Sequence, residues 1–165
     1  MTVTQSVVDE ALASPGEYLS FSLGNEEYGI PILSVQEIRG YTEPTRLANA
    51  PEHFLGVLNL RGTIVPIMDL RFRLLSAKPV YNELTVTIVL NIGGDVVGIV
   101  VDSVSDVIAL TNKEIKPTPG LSGVSDASFI NGIATVEDPG HSQLLLLLDI
   151  ASLVTGAELR TYLHD

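Results

Sequence analysis

One stretch of this chain is written twice. Residues 21–38 and 90–107 align without a gap at a constant spacing of 69, placing Gly24 on Gly93, Glu26 on Asp95, Gly29-Ile30 on Gly98-Ile99, Val35 on Val104, and Glu37-Ile38 on Asp106-Val107. A weaker echo follows. Gly56-Val57 matches Gly132-Ile133, and Ile64 to Leu70 matches Leu144 to Ile150. A repeat of this size predicts two copies of one small fold packed together. A unit of about 70 residues buries only roughly 60% of its unfolded surface and is marginal alone. Two copies sealing an apolar face against each other are sturdier, and the seam between them is a natural place for a partner.

The local pattern is that of strands. Leu19, Phe21 and Leu23 alternate with Ser20 and Ser22, as in a half-buried strand. Gly24 to Glu27 reads as a hairpin turn before Tyr28-Gly29-Ile30, and Gly93-Gly94-Asp95 turns between Val86–Ile92 and Val96–Val101. Segments Val35–Ile38 and Val104–Val107 follow. Phe54–Leu60 and Ile64–Leu70 are joined by a tight turn at Arg61-Gly62-Thr63, whereas Phe129–Val136 and Gln143–Ile150 are joined by a longer one over Glu137–Ser142, with Asp138-Pro139-Gly140 as its turn signal. About five short strands per copy describe a small barrel, whose closure removes exposed sheet edges. The repeat units run approximately from 18 to 75 and from 84 to 150, with strand exchange between them left open. Residues 1–16 read as a loosely held arm, 17–156 as the main domain, Ser76–Glu83 as the polar break between copies, and 150–165 as a C-terminal helix and tail with Gly156 weakening its middle.

Charge narrows the function. The formal net charge is −11, from 20 acidic and 9 basic residues, which argues against nucleic acid and against direct binding to anionic membranes. Five of the six arginines (Arg39, Arg46, Arg61, Arg71 and Arg73) fall before residue 75, either as ordinary surface pairs or as a local patch facing an acidic partner. The chain has no cysteine, so thiol catalysis, disulfides and zinc–thiolate sites are excluded. Met1 opens a polar stretch without the apolar core of a secretory signal, and the longest unbroken apolar run, Leu144–Leu148, is too short to span a membrane. The expected location is the cytoplasm.

No catalytic or metal-binding set assembles. His53, His141 and His164 are scattered, and no cofactor or metal is expected. Asp69 and Asp149 end equivalent strands and could form a proton-sharing dyad, but neither has an Asp-Thr/Ser-Gly setting, and a helix-cap or turn role fits better. Gly93-Gly94 does not run into a helix as a phosphate loop would. Two binding features remain. Arg61 stands on a tight turn, where it can make a bidentate pair with a carboxylate. Glu37 lies among apolar residues, either outward and solvated or paired, and a pair with Arg61 would account for both.

Glu27-Tyr28-Gly29-Ile30, Val35 to Tyr41, Gly56 to Pro66 and Val97 to Asp102 closely resemble the bacterial chemotaxis coupling proteins of the CheW family. The resemblance runs from about Tyr18 to Leu153, and Asn59-Leu60-Arg61-Gly62 followed by Ile64-Val65-Pro66 is its most specific part. It implies a mainly β fold of two five-stranded SH3-like barrels packed around a hydrophobic groove. It also implies a non-enzymatic adaptor between chemoreceptor tips and the histidine kinase CheA, at arrays beneath the inner membrane. By motif position the resemblance assigns Val35, Gly56, Val57, Arg61 and Val107 to a receptor-binding groove. It assigns Glu37, Arg61, Lys116 and Leu121 to contacts with the regulatory domain of the kinase. The nearest alternative is a kinase regulatory domain of the same fold, which a chain opening at Met1 with no preceding kinase motif disfavours.

Overall fold

Strands appear wherever apolar and polar residues alternate, and they also run through segments that are apolar on both faces. In the computed structural model, described for residues 13–74, 79–117, 129–138 and 141–153, they are β1 (Gly16–Leu23), β2 (Glu26–Pro31), β3 (Val35–Gly40), β4 (Phe54–Leu60), β5 (Thr63–Asp69), β6 (Val86–Ile92), β7 (Asp95–Val101), β8 (Ser103–Leu110), β9 (Ile115–Lys116), β10 (Ile130–Asp138) and β11 (His141–Leu148). A 3-10 turn, Ile32–Ser34, leads from β2 to β3, and two short helices follow β5 and β11: α1 (Leu70–Leu74) and α2 (Ile150–Leu153). The rest of the expected C-terminal helix, and most of the expected N-terminal arm, lie outside the described residues. The inner end of that arm is held: Ala13 is buried and donates its N–H to the Asn131 carbonyl, and the Tyr18 hydroxyl donates to the Ser14 carbonyl.

The strands form two sheets, ordered β8-β1-β2-β11-β10-β9 and β3-β6-β7-β5-β4. Mapping each strand of the first copy onto its repeat (β1 to β6, β2 to β7, β3 to β8, β4 to β10, β5 to β11) carries one order onto the other, with the two-residue β9 added at an edge. The mapping also shows that the hairpins are exchanged. β1–β2 from the first copy lies in the sheet made by the second copy's β8, β10 and β11. β6–β7 from the second copy lies in the sheet made by β3, β4 and β5. Each visiting hairpin makes one antiparallel and one parallel junction with its host: β1 with β8 and β2 with β11, β6 with β3 and β7 with β5. The irregularities repeat as well, with register shifts at Val35/Glu37 and at Ser20/Phe21 where β8 passes from Val104 to Asp106, and at Phe54/Gly56 and Ile130/Gly132.

Exchange covers the hairpin strands on both faces, including the β1 face that carries Ser20. One face of each sheet packs into a shared core: Leu19, Phe21, Leu23, Tyr28, Ile30 and Leu148 from one sheet meet Phe54, Met68, Ile88, Leu90, Val97, Ile99 and Val101 from the other. The other faces carry separate cores, with Tyr18, Leu145 and Leu147 in one, and Leu55, Val65, Ile67, Val89 and Val100 in the other. Successive side chains of a strand alternate in direction, so Leu145 and Leu147 face one core while Leu146 and Leu148 face the other. The leucine run is thus covered on both sides from Leu145 to Leu148, with Leu144 exposed at its outer end.

The repeated glycines sit where the parallel junctions are tightest. Gly29 is opposite Leu147 and Gly98 opposite Ile67. A Cβ on Gly29 would lie 3.1 Å from both Leu145 Cδ2 and Leu147 Cδ2, and one on Gly98 would lie 2.6 Å from Ile67 Cδ1. A glycine inside a strand marks such close approach. The turns are shorter than the sequence implied. Gly24-Asn25, Arg61-Gly62 and Gly93-Gly94 are two-residue connections, with Glu26, Thr63 and Asp95 already in strands. Arg61 and Gly62 have φ of 53° and 90°, and Gly93 and Gly94 of 60° and 97°, the left-handed pairs that match the twist of a hairpin.

Replacement of Gly98 by Ala should overpack the core around Ile67 and cost about 1–3 kcal/mol. Gly98→Ala combined with Ile67→Val should recover part of that loss. Chemical denaturation of the parent and the two variants checks both, and equal stability of Gly98→Ala and the parent would contradict the tight junction.

Candidate functional site

The two charged residues singled out from the sequence do meet. Glu37 lies on β3, at an edge of its sheet, and Arg61 occupies the turn between β4 and β5. Arg61 Nη2 donates to Glu37 Oε1 at 2.6 Å, although 24 residues separate them. The left-handed φ of Arg61 is uncommon for a residue with a side chain, and Asn59 Oδ1 steadies the turn by accepting the Gly62 N–H at 2.8 Å. Arg39, two residues along β3 on the same face as Glu37, brings Nη1 to 3.6 Å from Glu37 Oε2. One carboxylate thus faces two guanidinium groups. The hydrogen bond from Arg61 holds the Glu37 carboxyl below its usual pKa, against a smaller opposing effect of desolvation, and Glu37 in turn raises Arg61. The Arg61 side chain remains 71% exposed, so the pair is open to solvent and to partners.

The apolar candidates divide between the two sheets. Val35 begins β3 and Val57 lies in β4, both half-buried against the shared core. Val104, the repeat counterpart of Val35, rims that core from β8, a position the sequence reading did not select. Gly56 is buried at the bulge of β4, with φ of 142°, and a Cβ there would fall 2.0 Å from the Thr45 carbonyl oxygen. Backbone crowding alone is enough to require glycine at 56. Val107 is on β8, at the edge of the other sheet, 45% exposed, beside an open depression of about 380 Å³ also lined by Glu27, Ser105 and Asp106. Lys116 is exposed on β9, and Leu121 lies outside the described residues. Glu37 and Arg61 are therefore brought together, with Val35 on the same strand as Glu37 and Val57 on the strand leading to Arg61. Val107 and Lys116 belong to the second sheet.

Asp69 and Asp149 take the cap and turn roles. Asp69 Oδ1 accepts the backbone N–H of Arg71 at 2.9 Å, capping α1, and the Ser152 hydroxyl donates to Asp149 Oδ2 at 2.8 Å in α2. Asp69 is fully buried. Arg71 donates to it from Nε at 3.0 Å and from Nη2 at 2.8 Å, and the Tyr81 hydroxyl donates to Oδ2 at 2.8 Å. A carboxylate so occupied does not share a proton with a second acid. Arg71, expected at the surface, is 3% exposed and reaches the Val80 carbonyl at 2.8 Å and Asp102 Oδ1 at 3.0 Å. It also lies over the Tyr81 ring, which stacks on Tyr41. Burial and then the bond to Asp69 push the Tyr81 hydroxyl well above the ordinary tyrosine range. The short Asp-Leu-Arg spacing carried no sign of this, because the second carboxylate is 31 residues on.

Among the described residues no three histidine or acidic side chains group as metal ligands, and no helix is long and apolar enough to cross a membrane. His53 contributes its backbone carbonyl, which accepts the Asp69 N–H, while the His141 side chain and His164 fall outside the description.

Two measurements check this geometry. In a carboxyl NMR titration Glu37 should titrate below the normal glutamate range and return towards it in Arg61→Ala. The pair should be fully formed above that normal range and lost as pH falls through the lowered value. Asp69→Asn should destabilise the fold by about 3–5 kcal/mol in urea, because it leaves the buried Arg71 charge short of a partner. Paired replacement by Asp69→Leu and Arg71→Met should cost less than the two single changes added together.

Comparison with known proteins identifies the family. The CheW-like domain model matches residues 17–158. The chemotaxis protein CheW of Klebsiella aerogenes is 49% identical over 143 residues, which are 87% of this chain and 84% of that protein. CheW of Rhizobium meliloti is 35% identical, over 86% of this chain and 89% of its own. The crystal structure of the scaffolding protein TtCheW from Thermoanaerobacter tengcongensis superposes with a TM-score of 0.73 at 31% identity, covering 82% of this chain and 89% of that one. With the repeat, the exchanged hairpins and the Asn59-to-Pro66 turn all in place, the chain belongs to the CheW-like domain family.

Proposed function

We propose that this protein is a non-catalytic adaptor that couples the cytoplasmic tips of chemoreceptors to the histidine kinase CheA, and that it works in the cytoplasm at receptor arrays. The observation that carries the reading is the Glu37–Arg61 pair. It is exposed, oriented by a rigid two-residue turn, and set beside the half-buried Val35 and Val57. An interface of this kind needs apolar anchors and a few charges that fix register. Glu37 and Arg61 then face the regulatory domain of the kinase, with Lys116 and Leu121 as a second contact. Val35, Gly56, Val57, Arg61 and Val107 serve the receptor hairpin. Two modest contacts on one rigid body become strong together when receptor and kinase are both held in an array.

The test is assembly of the ternary complex. Arg61→Asp should keep the circular dichroism spectrum and melting behaviour of the parent, yet weaken capture of CheA roughly tenfold or more. Undiminished capture by a folded Arg61→Asp protein would overturn the kinase face. Titration of the labelled chain with a receptor-tip hairpin should shift the amides of Val35, Val57 and Val107. Shifts confined to other strands would overturn the groove assignment.

A further inference from the structure

The two copies share a backbone plan, but one corner of it is locked by chemistry that the other lacks. At the first corner Asp102, between β7 and β8, gathers three segments. Its Oδ2 accepts the N–H of Gly24 in the β1–β2 turn at 2.8 Å, its own N–H donates to the Ser22 carbonyl at 3.1 Å, and its Oδ1 accepts from Arg71 Nη1 at 3.0 Å. Through Arg71 the same network takes in Asp69 at the end of β5 and the Val80 carbonyl in the segment that joins the copies. One guanidinium therefore ties the tip of a hairpin that belongs to one sheet to the end of a strand that belongs to the other.

The repeat identifies the equivalent corner. Gly24 corresponds to Gly93, Asp102 to Leu33, Asp69 to Asp149 and Arg71 to Ala151. The backbone arrangement is kept, since the Asp69 N–H donates to the His53 carbonyl and the Asp149 N–H to the Phe129 carbonyl, each at 2.7 Å. The side-chain chemistry is not. Leu33 and Ala151 have no polar side-chain atom, so neither can accept the turn N–H or bridge two carboxylates. Leu33 is 95% exposed and Ala151 is exposed too, where Asp102 and Arg71 are tied into the fold.

We propose that Arg71 and Asp102 form a one-sided clamp that fixes the two sheets to each other at the Gly24 corner, so that the seam between them yields at the Gly93–Leu33–Ala151 corner. The asymmetry is chemical. A buried charge held by two carboxylates, one of them backed by Tyr81, and by a backbone carbonyl is costly to separate, whereas a corner whose counterpart side chains are apolar and exposed has no such bonds to break. The clamp goes beyond the adaptor role and stands whether or not that role is correct. It assigns Arg71 as a positioning residue, acting on the relation between sheets rather than on a ligand.

Residue-resolved amide hydrogen exchange and residual dipolar couplings on the full chain test it. In Asp102→Ala, a change at a partly exposed position that spares the core, exchange at Ser22–Glu26 should quicken at least tenfold while Asn91–Asp95 stays within twofold. The couplings should show the two sheets rotated relative to each other, with each sheet unchanged internally. Arg71→Met should reproduce this if it remains folded. The complementary variant, Leu33→Asp with Ala151→Arg, should slow exchange at Asn91–Asp95 beyond either single change. Equal quickening at both corners in Asp102→Ala, or an unchanged relative orientation of the sheets, would overturn the clamp.

Discussion

The fold depends on the fact that neither copy completes its own sheet. Hairpins β1–β2 and β6–β7 each leave their copy and finish the other's sheet, so every strand of a hairpin is buried on two sides. The hairpin must therefore supply side chains for two cores at once, and its parallel partner must approach closely enough to join them. Gly29 and Gly98 answer the second requirement: a Cβ there would lie 2.6–3.1 Å from the leucine and isoleucine side chains opposite, which would have to shift to admit it. With a core shared in this way, neither half has a complete fold of its own. Removing one half would strip the other of two strands and expose the central cluster around Phe21, Ile88 and Ile99.

Much of this was legible in the sequence. A constant spacing of 69 preserved glycines and alternating apolar residues because the same close approaches and the same two-faced burial occur twice. The turn chemistry was equally readable, though the first-copy and Gly93-Gly94 connections proved a residue or two shorter, and the long turn expected over residues 137–142 is closed by pairing of Glu137 with Ser142 and of Asp138 with His141. Exchange itself was not legible. Alternation in Leu19, Phe21 and Leu23 looks the same whether the hairpin pairs with β3 or with β8. The choice is made by long-range packing that leaves no local mark.

The charged residues divide in the same way. Glu37 and Arg61 were legible as a candidate pair from the residues themselves, an arginine on a tight turn and an acid among apolar neighbours, and the family resemblance added only the partner they would face. Arg71 was misread as surface charge. Its burial depends on Asp102, on Tyr81 and on the segment between copies, none of which lies near it in sequence. The apparent concentration of arginine in the first copy is therefore not one basic patch. Arg39 and Arg61 converge on a single carboxylate, and Arg71 is internal.

The repeat gives the molecule two edges of nearly the same shape, β3 and β8, with Ile38 and Val107 equally exposed at matching positions. Beside Ile38 stands Glu37, neutralised and oriented by two arginines. Beside Val107 stands Asp106, whose Oδ1 accepts the N–H of Val107. Equal shape with unequal chemistry matters physically. Two identical edges would invite self-complementary pairing, whereas a difference in charge at the same register favours unlike contacts and disfavours the symmetric one. Duplication supplied a rigid body with two comparable faces, and substitution at a few positions (Glu37 against Asp106, Arg71 against Ala151, Asp102 against Leu33) made the faces and corners distinct. A single small chain can then hold different neighbours on different sides without a separate domain for each.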